Sequence, residues 1–202
     1  MEQASLKCAL DAIDNANRED LNEGVLAGES VPREYAYSLH MTRWLYELEP
    51  SPSGRMQIAC RAQHIERWRM PRSDYPEGRK SYYEWRQACG RMHGRRAAEI
   101  MQSCGYPETE CERVEVILTK RELRKDADTQ LLEDVACMVF LEKYLAQFYA
   151  DNAEYDREKW LRIMRRTWSK MSPRAHEQAL ALSAKLPDHL QLLMQEALAD
   201  PG

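Results

Sequence analysis

Apolar side chains recur at three- and four-residue spacing along most of the chain, the period of a helix that buries one face, and runs of β-branched residues are scarce. The pattern predicts an all-α protein. A first helix is expected over residues 6–17, followed by a polar loop holding Gly24, Gly28 and Pro32. The second begins near Pro32, because proline's fixed φ suits a first helical turn, and passes through Tyr35, Leu39, Trp44 and Leu48 until Pro50-Ser51-Pro52 stops it. The third is expected over residues 54–68. Two prolines and a glycine between Arg69 and Arg79 exclude a continuous helix and predict an ordered loop. A long helix follows over residues 80–103, with Gly105 as C-cap and Pro107 just beyond, and another over 108–119. The stretch 128–141 is the most apolar, so the helix it begins is expected at the centre. From Asp156 onward the pattern gives two or three amphipathic helices broken at Pro173 and Pro187. Together these make a single-domain bundle of about eight or nine helices over residues 1–202.

Composition fits that picture. In 202 residues, 31% are charged and 44% hydrophobic, a globular balance with enough length for one core. The formal net charge is -4, so no global positive field exists to hold a nucleic-acid backbone, and any anion site must be local. Met1-Glu2-Gln3-Ala4-Ser5 is not a basic segment leading into an apolar one, and no apolar run is long enough to span a bilayer. A cytoplasmic protein with no membrane partner is expected. The 6 cysteines are spread over helical patterns without a C-x-x-C pair, so buried free thiols are expected rather than a disulfide framework or a zinc knuckle.

Candidate chemistry begins at His64, where the third helix meets the irregular loop. His40 lies on the helix before and His93 on the helix after, and Glu133-Asp134 lies on the central helix. Imidazoles and a carboxylate brought from different helices into a bundle are how all-α proteins build divalent metal sites. For any one of these histidines, the plain alternative is a ring satisfied by polar neighbours. Arginines crowd the same region. Arg67, Arg72, Arg79 and Arg86 are interleaved with Trp68, Tyr75, Tyr82, Tyr83 and Trp85, a lining suited to a phosphorylated or otherwise anionic small molecule. The competing role for these arginines is surface pairing with Glu66, Asp74, Glu77, Glu84 and Glu99. Glycine-rich phosphate loops, Walker motifs and nucleophile elbows are absent. Ser169-Lys170-Met171-Ser172 overlaps a loop of class I aminoacyl-tRNA synthetases, but the parallel α/β fold that loop requires is missing.

The order His, His, His, acid resembles that of HD-superfamily phosphohydrolases. Leu39-His40-Met41-Thr42-Arg43-Trp44-Leu45 is similar to their first-histidine helix, and Ile58-Ala59-Cys60-Arg61-Ala62-Gln63-His64 to the helix ending in their His-Asp pair. Met92-His93-Gly94 is similar to the extra histidine helix of some members, and Leu132-Glu133-Asp134-Val135-Ala136 to the segment with the last aspartate. The resemblance implies an HD-like core over about 32–150, with C-terminal helices over 156–200 packed on it. It implies His40, His64, His93 and Asp134 as ligands of one divalent ion whose identity stays open. That ion would activate water for hydrolysis of an anionic substrate, with His64, Asp134 and Lys120 catalytic. Two departures matter. Ile65 stands where the paired Asp would be, and Lys120 stands near a further histidine of two-metal members, where an ammonium repels a cation. At most one metal remains, or none, with Glu66 or Glu133 as substitute carboxylate. The alternative is a non-catalytic relative binding an anionic metabolite or partner through the arginine and aromatic cleft. A two-iron oxygen-using enzyme is a third reading, weakened by the missing ligands.

Nearly the whole chain also resembles the family termed domain of unknown function 4202. The resemblance rests on Gln63-His64-Ile65-Glu66-Arg67-Trp68, Pro71-Arg72 with Tyr75-Pro76, Tyr83-Glu84-Trp85-Arg86, Gln130-Leu131-Leu132-Glu133-Asp134-Val135-Ala136-Cys137 and Thr167-Trp168-Ser169-Lys170-Met171-Ser172. That family brings no established activity.

Overall fold

The structure, a computed structural model, describes residues 2–199. Met1 and residues 200–202, part of the expected domain and of its C-terminal helices, lie outside the described residues. The chain is all-helical, as the periodicity predicts, with ten α-helices and one two-stranded hairpin among the described residues. No described helix is long and apolar enough to cross a membrane. The chain divides into two compact units, Met1–Leu132 and Glu133–Gly202.

The first unit opens with α1 (Glu2–Arg18), then β1 (Glu23–Leu26), β2 (Glu29–Pro32), α2 (Arg33–Leu48) and α3 (Gly54–Arg61). The expected polar loop is thus a tight antiparallel hairpin. Its two-residue turn, Ala27-Gly28, has φ of 52° and 87°, the left-handed pair that a strand-compatible turn requires. Asp20 braces it, accepting from the backbone N–H groups of Asn22 at 3.0 Å and Glu34 at 3.1 Å. Arg61 ties α1, α2 and α3 together. Its guanidinium reaches Asp14 at 2.6 and 2.9 Å and Thr42 Oγ1 at 2.8 Å, while Ile13, Met41, Leu45 and Ile58 are sealed from solvent beneath.

The third helix ends at Arg61, short of the expected Trp68. Tertiary contacts hold the chain in a turn instead: Ile65 O accepts from His93, and Glu66, at the non-helical φ of 52°, has its carboxylate held by Arg96 at 3.0 Å. Local propensity is overridden. The segment between Arg69 and Arg79 is the ordered loop expected, with short 3-10 turns at Arg67–Arg69 and Arg72–Asp74. The Arg72 fork donates to Tyr75 O and Pro76 O, both at 2.8 Å, and Trp85 Nε1 donates to Met70 O at 2.9 Å.

Helix α4 (Arg79–Ser103) closes at Gly105, φ 82°, and packs along α5 (Glu108–Thr119). The two backbones nearly touch. A Cβ on Gly94 would lie 2.9 Å from Glu115 Cγ and 3.1 Å from Glu115 O, and one on Gly90 would lie 3.2 Å from Leu118 O. The cysteine expectation is corrected here. Cys8 and Cys104 form a disulfide across 96 residues, whereas Cys60, Cys89, Cys111 and Cys137 are buried thiols. The pairing depends on α1 reaching the end of α4, which sequence spacing does not reveal. Closing a loop of that length stabilises by about 4–5 kcal/mol in the chain-entropy view. Disulfides persist in oxidising surroundings and are rare in reducing ones, so the bond also bears on compartment.

The division between units falls within α6 (Ala127–Val139). Asp126 caps its start, accepting from Thr129 N at 2.9 Å. The second unit continues through a π-helical turn at Phe140–Tyr144 into α7 (Leu145–Asp151), α8 (Arg157–Trp168), α9 (Pro173–Ser183) and α10 (Asp188–Ala199). The breaks before Pro173 and at Pro187 are those the sequence predicts. Ser172 caps α9, and Asp134 Oδ1 accepts from Ser172 N at 2.8 Å. The core here is Met138, Leu145, Trp160, Leu161, Leu190 and Met194.

The α4–α5 approach generates a test. Gly94→Ala forces the helices apart and should lower stability by about 1–3 kcal/mol, read as a shifted urea midpoint. An unchanged midpoint would refute the close packing.

Candidate functional site

The site grows from α2 and the turn after α3. Glu34 sits in the first turn of α2, buried, and Tyr37 follows one turn on. His64 stacks on Tyr37 with ring centroids 3.9 Å apart and planes at 9°. Its Nδ1 lies 3.2 Å from Glu34 Oε2, and its Nε2 lies 2.6 Å from Arg67 Nη1. A guanidinium has only donors. His64 Nε2 therefore accepts, and the ring proton sits on Nδ1, donated to Glu34. Arg67 is held in turn by the ring of Trp85, 4.7 Å away.

His93, from the middle of α4, lies beside it, ring centroids 6.0 Å apart. Its Nδ1 is 2.8 Å from Ile65 O, and since a carbonyl only accepts, this nitrogen carries the hydrogen. His93 Nε2 is left as a bare lone pair, buried and without a hydrogen-bond partner. Burial holds the His64 pKa well below its usual range, helped by Arg67, Lys120 and Arg86. Burial, then the neighbouring His64, lowers that of His93 to about 3. Burial also raises Glu34, outweighing Arg67 and Arg33. Both rings are neutral at physiological pH.

These rings line a cleft of about 320 Å³, closed on its far side by Leu118, Thr119 and Lys120 at the end of α5. Lys120 occupies the left-handed C-cap, φ 54°, where glycine is the usual residue. Among the described residues, five cationic side chains line the cleft, Arg67, Arg86, Arg91, Lys120 and Arg121, and no carboxylate does.

Of the residues singled out in the sequence, His64, His93, Arg67, Arg86 and Lys120 meet here. Arg72 braces its own loop instead. Arg79 is exposed, its guanidinium 5.8 Å from the centre of the Tyr83 ring. His40, half-buried on α2, does not line the cleft. Asp134 belongs to the second unit and holds the start of α9, while its neighbour Glu133 pairs with Lys170 at 3.2 Å. Glu66 faces a separate groove with Arg69 and Arg96. Sequence reasoning missed Glu34, Tyr37 and Arg121. The first two do lie three residues apart, on one helical face.

A divalent ion is not a good fit to these donors. His64 and His93 offer two imidazoles, but Arg67 covers one Nε2, and the cations of the lining oppose a further positive charge. Among the described residues, no group of three or more His, Cys, Asp or Glu side chains is placed to hold a metal.

An all-helical fold carrying a cationic cleft over a neutral histidine pair is the class that these observations define. The chain belongs to the family described as Domain of unknown function (DUF4202), whose model matches residues 7–194 and so extends over both units. No curated protein and no solved structure matches the chain.

The histidines predict a pH signature. An unfolded histidine titrates near pH 6.5; with both folded values lower, the unfolded chain binds protons first, so stability is lost as pH falls below about 6.5. Glu34, raised by burial, opposes this wherever the folded chain takes up its proton ahead of the unfolded one. Between about pH 6.5 and 5 the loss should approach about 1.4 kcal/mol per pH unit for each histidine, and His93→Asn should halve it. Urea midpoints that stay flat over this window would contradict the neutral histidine pair.

Proposed function

We propose that the chain binds a phosphorylated small molecule in this cleft, without a resident divalent ion. The carrying observation is the lining: among the described residues, five cations and no carboxylate around a cavity of small-molecule size. Guanidinium forks pair with phosphate oxygens bidentately, and Lys120 adds a point charge. The neutral imidazoles add no competing charge, and Arg67, already oriented by His64 and Trp85, is preorganised for its ligand. Of the readings from sequence, this favours the non-catalytic relative over the metal-dependent hydrolase.

One observation speaks for the hydrolase. Both rings donate Nδ1–H to a fixed acceptor, Glu34 or Ile65 O, the outer support that metal-bound histidines commonly have. A metal there requires Arg67 to leave His64 Nε2.

Titration calorimetry with inorganic phosphate separates the two. The anion reading predicts binding that is unaffected by chelator, weakens with salt, and falls about tenfold in Lys120→Met. Phosphate binding only when manganese or magnesium is added would overturn it.

A further inference from the structure

The cleft presents cations to an anion, but two of its lining residues offer the opposite polarity. His93 Nε2 and Gln63 Oε1 are buried acceptors with no hydrogen-bond partner, and both residues line the cavity. The His93 acceptor is fixed, because Nδ1 is committed as donor to Ile65 O. Buried acceptors without donors are rare in folded proteins and costly. Neither the arginines nor the phosphate group of a monoester relieves them: the guanidiniums are wanted by the anion, and a monoester dianion has no O–H to donate. Ligand hydroxyls relieve them directly, one O–H to each acceptor.

We infer that the ligand of this cleft is a phosphate monoester that also carries hydroxyl groups, with His93 Nε2 and Gln63 Oε1 each accepting from one hydroxyl while the cations hold the phosphate. The inference rests on the anion reading of the same cleft and adds its specificity. His93 is then the selecting residue. A site built to hydrogen-bond a hydroxyl discriminates strongly against an analogue lacking it, because the buried acceptor stays unpaired in that complex. The cavity, about 320 Å³, holds on the order of ten waters' share of liquid volume, room for a short polyol phosphate rather than a polymer.

Two monoesters of equal charge and similar length test this: glycerol 3-phosphate, with hydroxyls, and propyl phosphate, without. Calorimetry on the full chain should find glycerol 3-phosphate bound at least about tenfold more tightly. His93→Asn keeps an N–H for Ile65 O and removes the ring acceptor. It should abolish most of that preference, read as the ratio of the two affinities. Gln63→Met, outside any helix, should reduce the preference partly, and it keeps the test decisive if His93→Asn fails to fold. Equal affinities in the unaltered protein would overturn the inference and leave the anion reading standing. No binding of either ester would overturn both. A His93→Asn protein that loses both ligands equally would also refute His93 as the selecting group.

Discussion

The contact between Arg67 Nη1 and His64 Nε2, at 2.6 Å, sets the chemistry of everything around it. Because arginine can only donate, it fixes the His64 tautomer and turns the Nδ1 proton toward Glu34, and it adds to burial in keeping the ring neutral. It also occupies the lone pair through which His64 would ligate a metal. A residue arrangement that in outline resembles a metal-binding histidine cluster becomes, through this one guanidinium, a positively charged cleft with a neutral floor. Ile65, fully buried, completes the change by placing a core side chain where the resemblance to HD phosphohydrolases calls for a carboxylate.

The scaffold is arranged to hold that cleft. Gly90 and Gly94 let α4 and α5 approach at backbone distance, which carries Lys120, at the end of α5, to the same cavity as His93 in α4. On either side, Glu66 and Lys120 adopt left-handed conformations, φ 52° and 54°, at a cost of roughly 1 kcal/mol or more each for residues that are not glycine. Such strain persists only where the surroundings enforce it. Here, Arg96 holds Glu66, and the close α4–α5 packing runs up to Lys120. The Cys8–Cys104 bond staples α1 to the far end of α4.

Much of this was legible in the sequence. The helix at Glu108–Thr119 has the boundaries its pattern predicts, and the prolines and Gly105 mark loops and caps because their backbone preferences are local. His64, Arg67, Arg86 and His93 converge because they lie on the elements either side of one irregular loop, and the close α4–α5 packing brings Lys120 to them. What was hidden depends on partners distant in sequence: the early end of α3, the disulfide, and the role of Glu34 and Tyr37 beneath His64. Arg72 looked like its neighbours by composition, yet its fork is used on two carbonyls within its own loop. The hairpin at Ala27-Gly28 was a missed local signal, in which a short two-residue turn read as an ordinary polar loop.

Anomalous diffraction from crystals of the protein soaked separately in tungstate and in cobalt(II) tests the central claim most directly. The account predicts a tungsten peak within hydrogen-bonding reach of Arg67 and Lys120, and no cobalt between His64 and His93. A cobalt ion bound by both imidazoles, with Arg67 displaced and the tungstate soak empty, would contradict it.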